Sequence, residues 1–143
     1  MNLTLASAQS IIADALAAGA QHRFKPLTVV VLDAGGHLLA AARQDGASNN
    51  RFEIAQGKAY GALALGMGSR AIMERAEQQA YFIAAATAAL GGRLIPVPGG
   101  VLVRDQDGTV IGAVGISGDS SDNDETAAST AIRISAGPGV GTA

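Results

Sequence analysis

The stretch "LTVVVLDAGGHLLAAARQ" (Leu27–Gln44) decides the fold class of this 143-residue chain. A β-branched apolar run reaches Asp33, Ala34-Gly35-Gly36 supplies a turn whose glycines tolerate positive φ, and Leu38 to Arg43 returns. The segment reads as a β-hairpin. A second hairpin follows in "VLVRDQDGTVIGAVGIS" (Val101–Ser117), with Asp107-Gly108 at its turn. "IPVPGG" (Ile95–Gly100), just before it, is excluded as a long central strand, because neither proline has an amide donor.

The remaining segments carry helical spacing. Leu5, Ala8, Ile12, Ala15 and Leu16 share one face, with Thr4 as N-cap and an end near Gln21. "NNRFEIAQGKAYGALALG" (Asn49–Gly66) opens with Asn50 as N-cap and Glu53 three residues later, a capping-box pattern. That helix should end near "GMGS", Ser69 then caps a short segment through Glu77, and "QQAYFIAAATAALGG" closes at Gly91 and Gly92. "SSDNDETAASTAIRIS" is the last helix, with Ser121 as cap and Asp124 at its third position. Antiparallel hairpins segregated from helices predict an α+β fold, a sheet of two hairpins with helices packed mainly on one face. One domain spans 1–143, with a flexible tail from about residue 137.

Composition narrows the function classes. A single domain of this length buries roughly 68% of the surface its unfolded chain exposes. Hydrophobic residues make up 48% but aromatics only 3%, and 19 residues are glycine, so the core is built from Ala, Val, Ile and Leu. Apolar alanine surface left outside predicts a homo-oligomer. The net charge of −2 and the scattered basic residues exclude a nucleic-acid partner, which needs clustered Lys and Arg. Without cysteine there is no disulfide, thiolate catalysis or cysteine-ligated metal. "MNLTLASAQS" is no signal peptide and no apolar run reaches membrane-span length, so the expectation is a cytoplasmic protein with no membrane partner.

Lys58 is the first candidate site residue. It lies four residues after Ile54 and four before Ala62, on the apolar face of its helix. Either its stem follows the core edge while the ammonium reaches water, or the ammonium faces a pocket. Gly57 and Gly61 in the neighbouring turn suit close approach, since helix-interior glycines each cost about 1 kcal/mol relative to alanine. Arg43 opens "RQDGA", where its planar fork suits a carboxylate, or pairs with Asp45 at the surface. Gly99 and Gly100 either admit a ligand to the backbone or form a bulge. Asp119, Asp122, Asp124 and Glu125 suit the N-terminal dipole of the last helix, and their spacing is not that of an EF-hand. His22 and His37 form no recognisable metal pair, and no metal ligand is assigned. No Walker sequence or GxSxG is present, and "GMGSRA" lacks the dinucleotide fingerprint.

In order, "VVVLDAGGHLLAAARQDGA", "FEIAQGKAYGAL", "PGGVLVRDQDGTVIGAVGISG" and "SSDNDETAASTA" resemble the GlcG/HbpS family, the haem-degrading-domain family that includes the C-terminal domain of PduO-type proteins. The likeness runs from the first helix to the last. It implies a profilin-like α+β fold, a homo-oligomer and haem as the cofactor, with no other cofactor. It also implies a Lys/Arg-lined pocket for a small anionic ligand, with Arg43, Lys58, Gly99 and Gly100 as its binding residues. No axial ligand carries over residue by residue from the matching motifs. Thr126 and His22 are the side chains left for that role. A second reading is a small cofactor-independent isomerase or lyase acting on an oxygenated carboxylate in catabolism. Lys58 and Arg43 would hold the anion there, and Glu125 or Asp124 would move the proton. A structural oligomer without a ligand is the third reading.

Overall fold

Both hairpins form and join into one antiparallel sheet. The computed structural model describes residues 2–135, and the tail expected from residue 137 lies outside them. The elements run α1 (Leu5–Gln21), β1 (Thr28–Asp33), β2 (Leu38–Arg43), α2 (Arg51–Leu65), α3 (Ser69–Gln78), α4 (Ala80–Ala89), β3 (Gly100–Arg104), β4 (Val110–Ser117) and α5 (Ser121–Ser135). Strand order is β2-β1-β4-β3, so the two hairpins meet through β1 and β4. The first turn follows from its residues. Gly36 takes φ +83, and the Asp33 carboxylate accepts from the amides of Gly35 and His37.

The α+β expectation holds, but the helices do not gather on one face. Val29 and Val31 of β1 pack with Val114, Ile116, α1 and α5. Val30 and Leu32 turn the other way, onto Ala55, Ala59 and Ala62 of α2. The run Val29-Val30-Val31-Leu32 is apolar at successive positions rather than alternate ones, the pattern of a strand covered on both sides. The result is three layers, with α3 and α4 packed beyond α2 around Ile72, Ile83 and Leu94.

Caps decide where several helices begin. Thr4 caps α1 as expected, its Oγ1 accepting from the Ser7 amide at 3.1 Å. Asn50 precedes α2 but its side chain makes no cap bond, so the capping box with Glu53 does not form. Ser69 lies inside α3, whose N-cap is Gly68. At α5 the cap is Ser120, one residue earlier than expected, with its Oγ accepting from Asn123 at 3.1 Å. The Asp119 carboxylate holds the Ser120 amide at 2.7 Å, which starts the helix there.

Small residues let α2 approach its neighbours. A Cβ on Gly115 would stand 1.9 Å from the Ala55 carbonyl oxygen, so β4 and α2 touch backbone to backbone. Gly57 and Gly61 accommodate Ile95 and Leu94 of the loop that precedes β3.

Candidate functional site

Lys58 enters the middle of the molecule from α2 and is only 2% exposed. Its Nζ donates to the Ile116 carbonyl at 2.9 Å and to Asp124 Oδ2 at 3.1 Å. Asp124, in the first turn of α5, is 1% exposed and also accepts from the Asp119 amide at 3.0 Å. The ammonium therefore does not reach water as a snorkelling lysine's would. It ties α2, β4 and α5 together. Burial pulls Lys58 below its ordinary 10.5 against the attraction of Asp124, with Arg51 adding to the lowering. Burial likewise pushes Asp124 above 3.8 against the pull of Lys58.

Gly99 and Gly100 are shaped to this lysine. A Cβ on Gly99, whose φ is +125, would lie 2.8 Å from Lys58 Nζ, and one on Gly100 would lie 2.3 Å from the Lys58 carbonyl oxygen. The backbone of Gly100 is also held by Ser69. Its amide donates to Ser69 Oγ at 2.7 Å, and that hydroxyl stands 3.3 Å from the Gly100 carbonyl.

In front of this buried group a cleft of about 270 Å³ opens between α3, β3 and α5, lined by Gly68, Arg70, Ala71, Glu74, Gly100, Val101, Glu125 and Ser129. Arg70 crosses it. Its Nε donates to both Glu125 oxygens at 3.1 Å, and a terminal nitrogen donates to Asp122. These bonds raise the Arg70 pKa, the Asp122 bond most. With Glu74 also on the wall, carboxylates outnumber the single guanidinium, and the cleft is not a cationic surface.

Of the sequence candidates, Gly100 and Glu125 line the cleft, while Lys58, Asp124 and Gly99 lie behind it. Arg43 is elsewhere. It sits exposed on edge strand β2, donates to the Ala47 carbonyl at 3.5 Å and borders an open hollow of about 460 Å³ with Phe24, Pro26, Gln44 and Asp45. His22, exposed at the end of α1, stacks on Phe24 with ring centroids 5.2 Å apart. His37 lies 3.4 Å from Asp33 in the first turn. Among the described residues no three metal-ligating side chains cluster. Sequence reasoning missed Arg70 and Ser69. Both stand in "GMGSRA", whose only local signal was a helix start after glycine.

A family profile described as haem degrading protein, HbpS-like, matches residues 3–133. The chain belongs to the HbpS-like family. The crystal structure of a PduOC:haem complex superposes on this HbpS-like chain with a TM-score of 0.85 and 27% identity, covering 99% of it and 98% of the other chain. The Klebsiella pneumoniae protein ORFY gives 0.84 and 29%, covering 94% and 90%. An uncharacterized 15.0 kDa protein from the dhaT-dhaS intergenic region of Citrobacter freundii is 33% identical over 130 residues, 91% of this chain and 89% of that protein. The HbpS-like fold thus extends over the whole sheet and all five helices described above.

Proposed function

We propose that this chain is a haem-binding, haem-handling protein of the HbpS type. The likeness to the PduOC:haem complex along nearly the full length of both chains carries this reading. The donor set favours one place for it. No histidine, cysteine or methionine lines the Arg70 cleft, so that cleft offers iron no nitrogen or sulfur ligand. His22 offers an exposed imidazole beside Phe24, and the hollow next to it has the apolar Pro26 and the cationic Arg43 on its wall. His22 would hold the iron, Phe24 and Pro26 would pack against the porphyrin, and Arg43 would meet a propionate. Bound haem would supply the iron chemistry. Lys58 takes no part in holding the anion.

An open hollow covers one side of such a ligand, and a second copy of the chain would cover the other. Exposed Tyr81, Leu5, Leu38 and Ile134 also favour self-association, and we assign a homo-oligomer on that basis. No helix among the described residues is long and apolar enough to cross a membrane. Hemin titration followed at the Soret band tests the reading. A saturable shift that is lost in His22→Ala is expected. A broad, non-saturating absorbance in the parent protein would sink it.

Glu125, Glu74 and Arg70 around one cleft favour a second reading, proton transfer on an oxygenated carboxylate without a cofactor. Glu125 would carry the proton, Arg70 would release one carboxylate to meet the substrate's, and Lys58 with Asp124 would position the first turn of α5. Loss of turnover in Glu125→Gln, with binding retained, is its signature.

A further inference from the structure

The buried end of the sheet beneath the first turn of α2 carries an unexplained hydroxyl. Thr28 is 1% exposed, and its Oγ1 is the buried side-chain polar atom that lacks a hydrogen-bond partner among the described residues. Val30 and Leu32, two and four residues on, pack against α2, so the strand period of two points Thr28 to the same side. Its direct cross-strand neighbours are Arg43 on β2 and Ser117 on β4, and opposed residues of antiparallel strands share a face. Arg51, the first residue of α2, donates to Ser117 Oγ at 3.1 Å. Two hydroxyls and two guanidinium-bearing residues therefore converge at one place.

The charges there are unbalanced. Among the described residues, no carboxylate forms an ion pair with Arg43 or Arg51. Asp45 borders the hollow with Arg43, and Glu53 follows in the first turn of α2, without an ion pair to either arginine among the described residues. No side chain caps α2, and Arg51, its first residue, brings the positive end of the helix dipole to Ser117. An orphaned buried hydroxyl is unfavourable unless something accepts or donates there.

We propose that Thr28, Ser117, Arg43, Arg51 and the start of α2 form a site for a small oxyanion, a carboxylate or a phosphate. Paired arginine forks match the geometry of either group, and both hydroxyls donate to it. Binding draws the Arg51 guanidinium from Ser117 onto the anion and gives Thr28 its partner. The site shares Arg43 with the proposed haem hollow but depends on Thr28 and Arg51, which that hollow does not include.

Calorimetric titration of the full chain, without haem, with inorganic phosphate and separately with malonate tests the proposal, using chloride at matched ionic strength as the control. Saturable binding of at least one of the two, at one per chain, is expected, and which one binds identifies the source. Arg51→Gln should weaken it roughly 10-fold or more. Thr28→Val, which keeps the shape and removes the orphan, should weaken it severalfold while leaving the melting temperature equal or higher. Arg43→Gln is a second surface variant with the same expected loss should Thr28→Val fold poorly. No saturable binding of either anion, or parental affinity in both arginine variants, overturns the site whatever the hemin titration gives.

Discussion

Lys58 and Asp124 stand 66 residues apart in the sequence and 3.1 Å apart in space, both sealed from solvent. Among the described residues neither charge has another ionic partner within reach of a salt bridge, so each depends on the other. Removing one partner leaves an uncompensated buried charge, which costs about 3–5 kcal/mol, whereas replacing both with apolar residues of similar volume is often neutral or stabilising. Lys58→Met alone should therefore lower unfolding stability by roughly that amount. Lys58→Met combined with Asp124→Leu should recover most of the loss in urea denaturation. Parental stability in the single variant would show that the pair contributes nothing.

Arg70 makes the opposite case. Its side chain is 42% exposed and its carboxylate partners Asp122 and Glu125 are 77% and 28% exposed. Water screens such pairs, so Arg70→Met should change stability by only about 0–1 kcal/mol. Thermal unfolding of this variant beside Lys58→Met compares the exposed network with the sealed one. A loss as large as that of Lys58→Met would mean that the Arg70 network carries the fold.

Asp119 should give the chain an acid-sensitive step. Its carboxylate accepts from the Lys25 amide at 2.7 Å, from the Ser120 amide at 2.7 Å and from Asn123 Nδ2 at 2.8 Å. These bonds, that from Lys25 foremost, hold it below its ordinary 3.8. The unfolded chain then takes up the proton first, so this stability is present above 3.8 and is lost as pH falls through the folded value. Asp119→Asn should flatten that part of the acid limb in urea midpoints measured against pH. Asp124 acts in the other sense. Its raised pKa favours the folded state at low pH, and that contribution fades as pH rises from 3.8 through the folded value.

Gly115→Ala should separate α2 from the sheet. The added methyl would meet the Ala55 carbonyl oxygen at 1.9 Å, and a backbone atom inside a helix cannot swing aside. Overpacking typically costs about 1–3 kcal/mol, and this contact belongs at or above the upper end. Denaturation that leaves the midpoint unchanged would mean that α2 is free to shift.

Local chemistry alone determined the elements of this protein. Glycines at Gly36 and Gly108, both at φ +83, mark the hairpin turns because few other residues tolerate that conformation. Helical spacing placed α1 through α5 to within a residue or two, and errors fell at the caps, where Ser120 and Ser121 were equally competent as donors and acceptors. What covers each face of the strands was already written in Val29-Val30-Val31-Leu32, an unbroken apolar run that only the packing of α2 made plain. The partnerships of the charged side chains were not written locally. Lys58 meets Asp124 across 66 residues and Arg70 meets Glu125 across 55, on helices whose own periodicity says nothing of the facing helix. A charge takes its role from the dielectric and the partners around it, and both exist only once the three layers have closed.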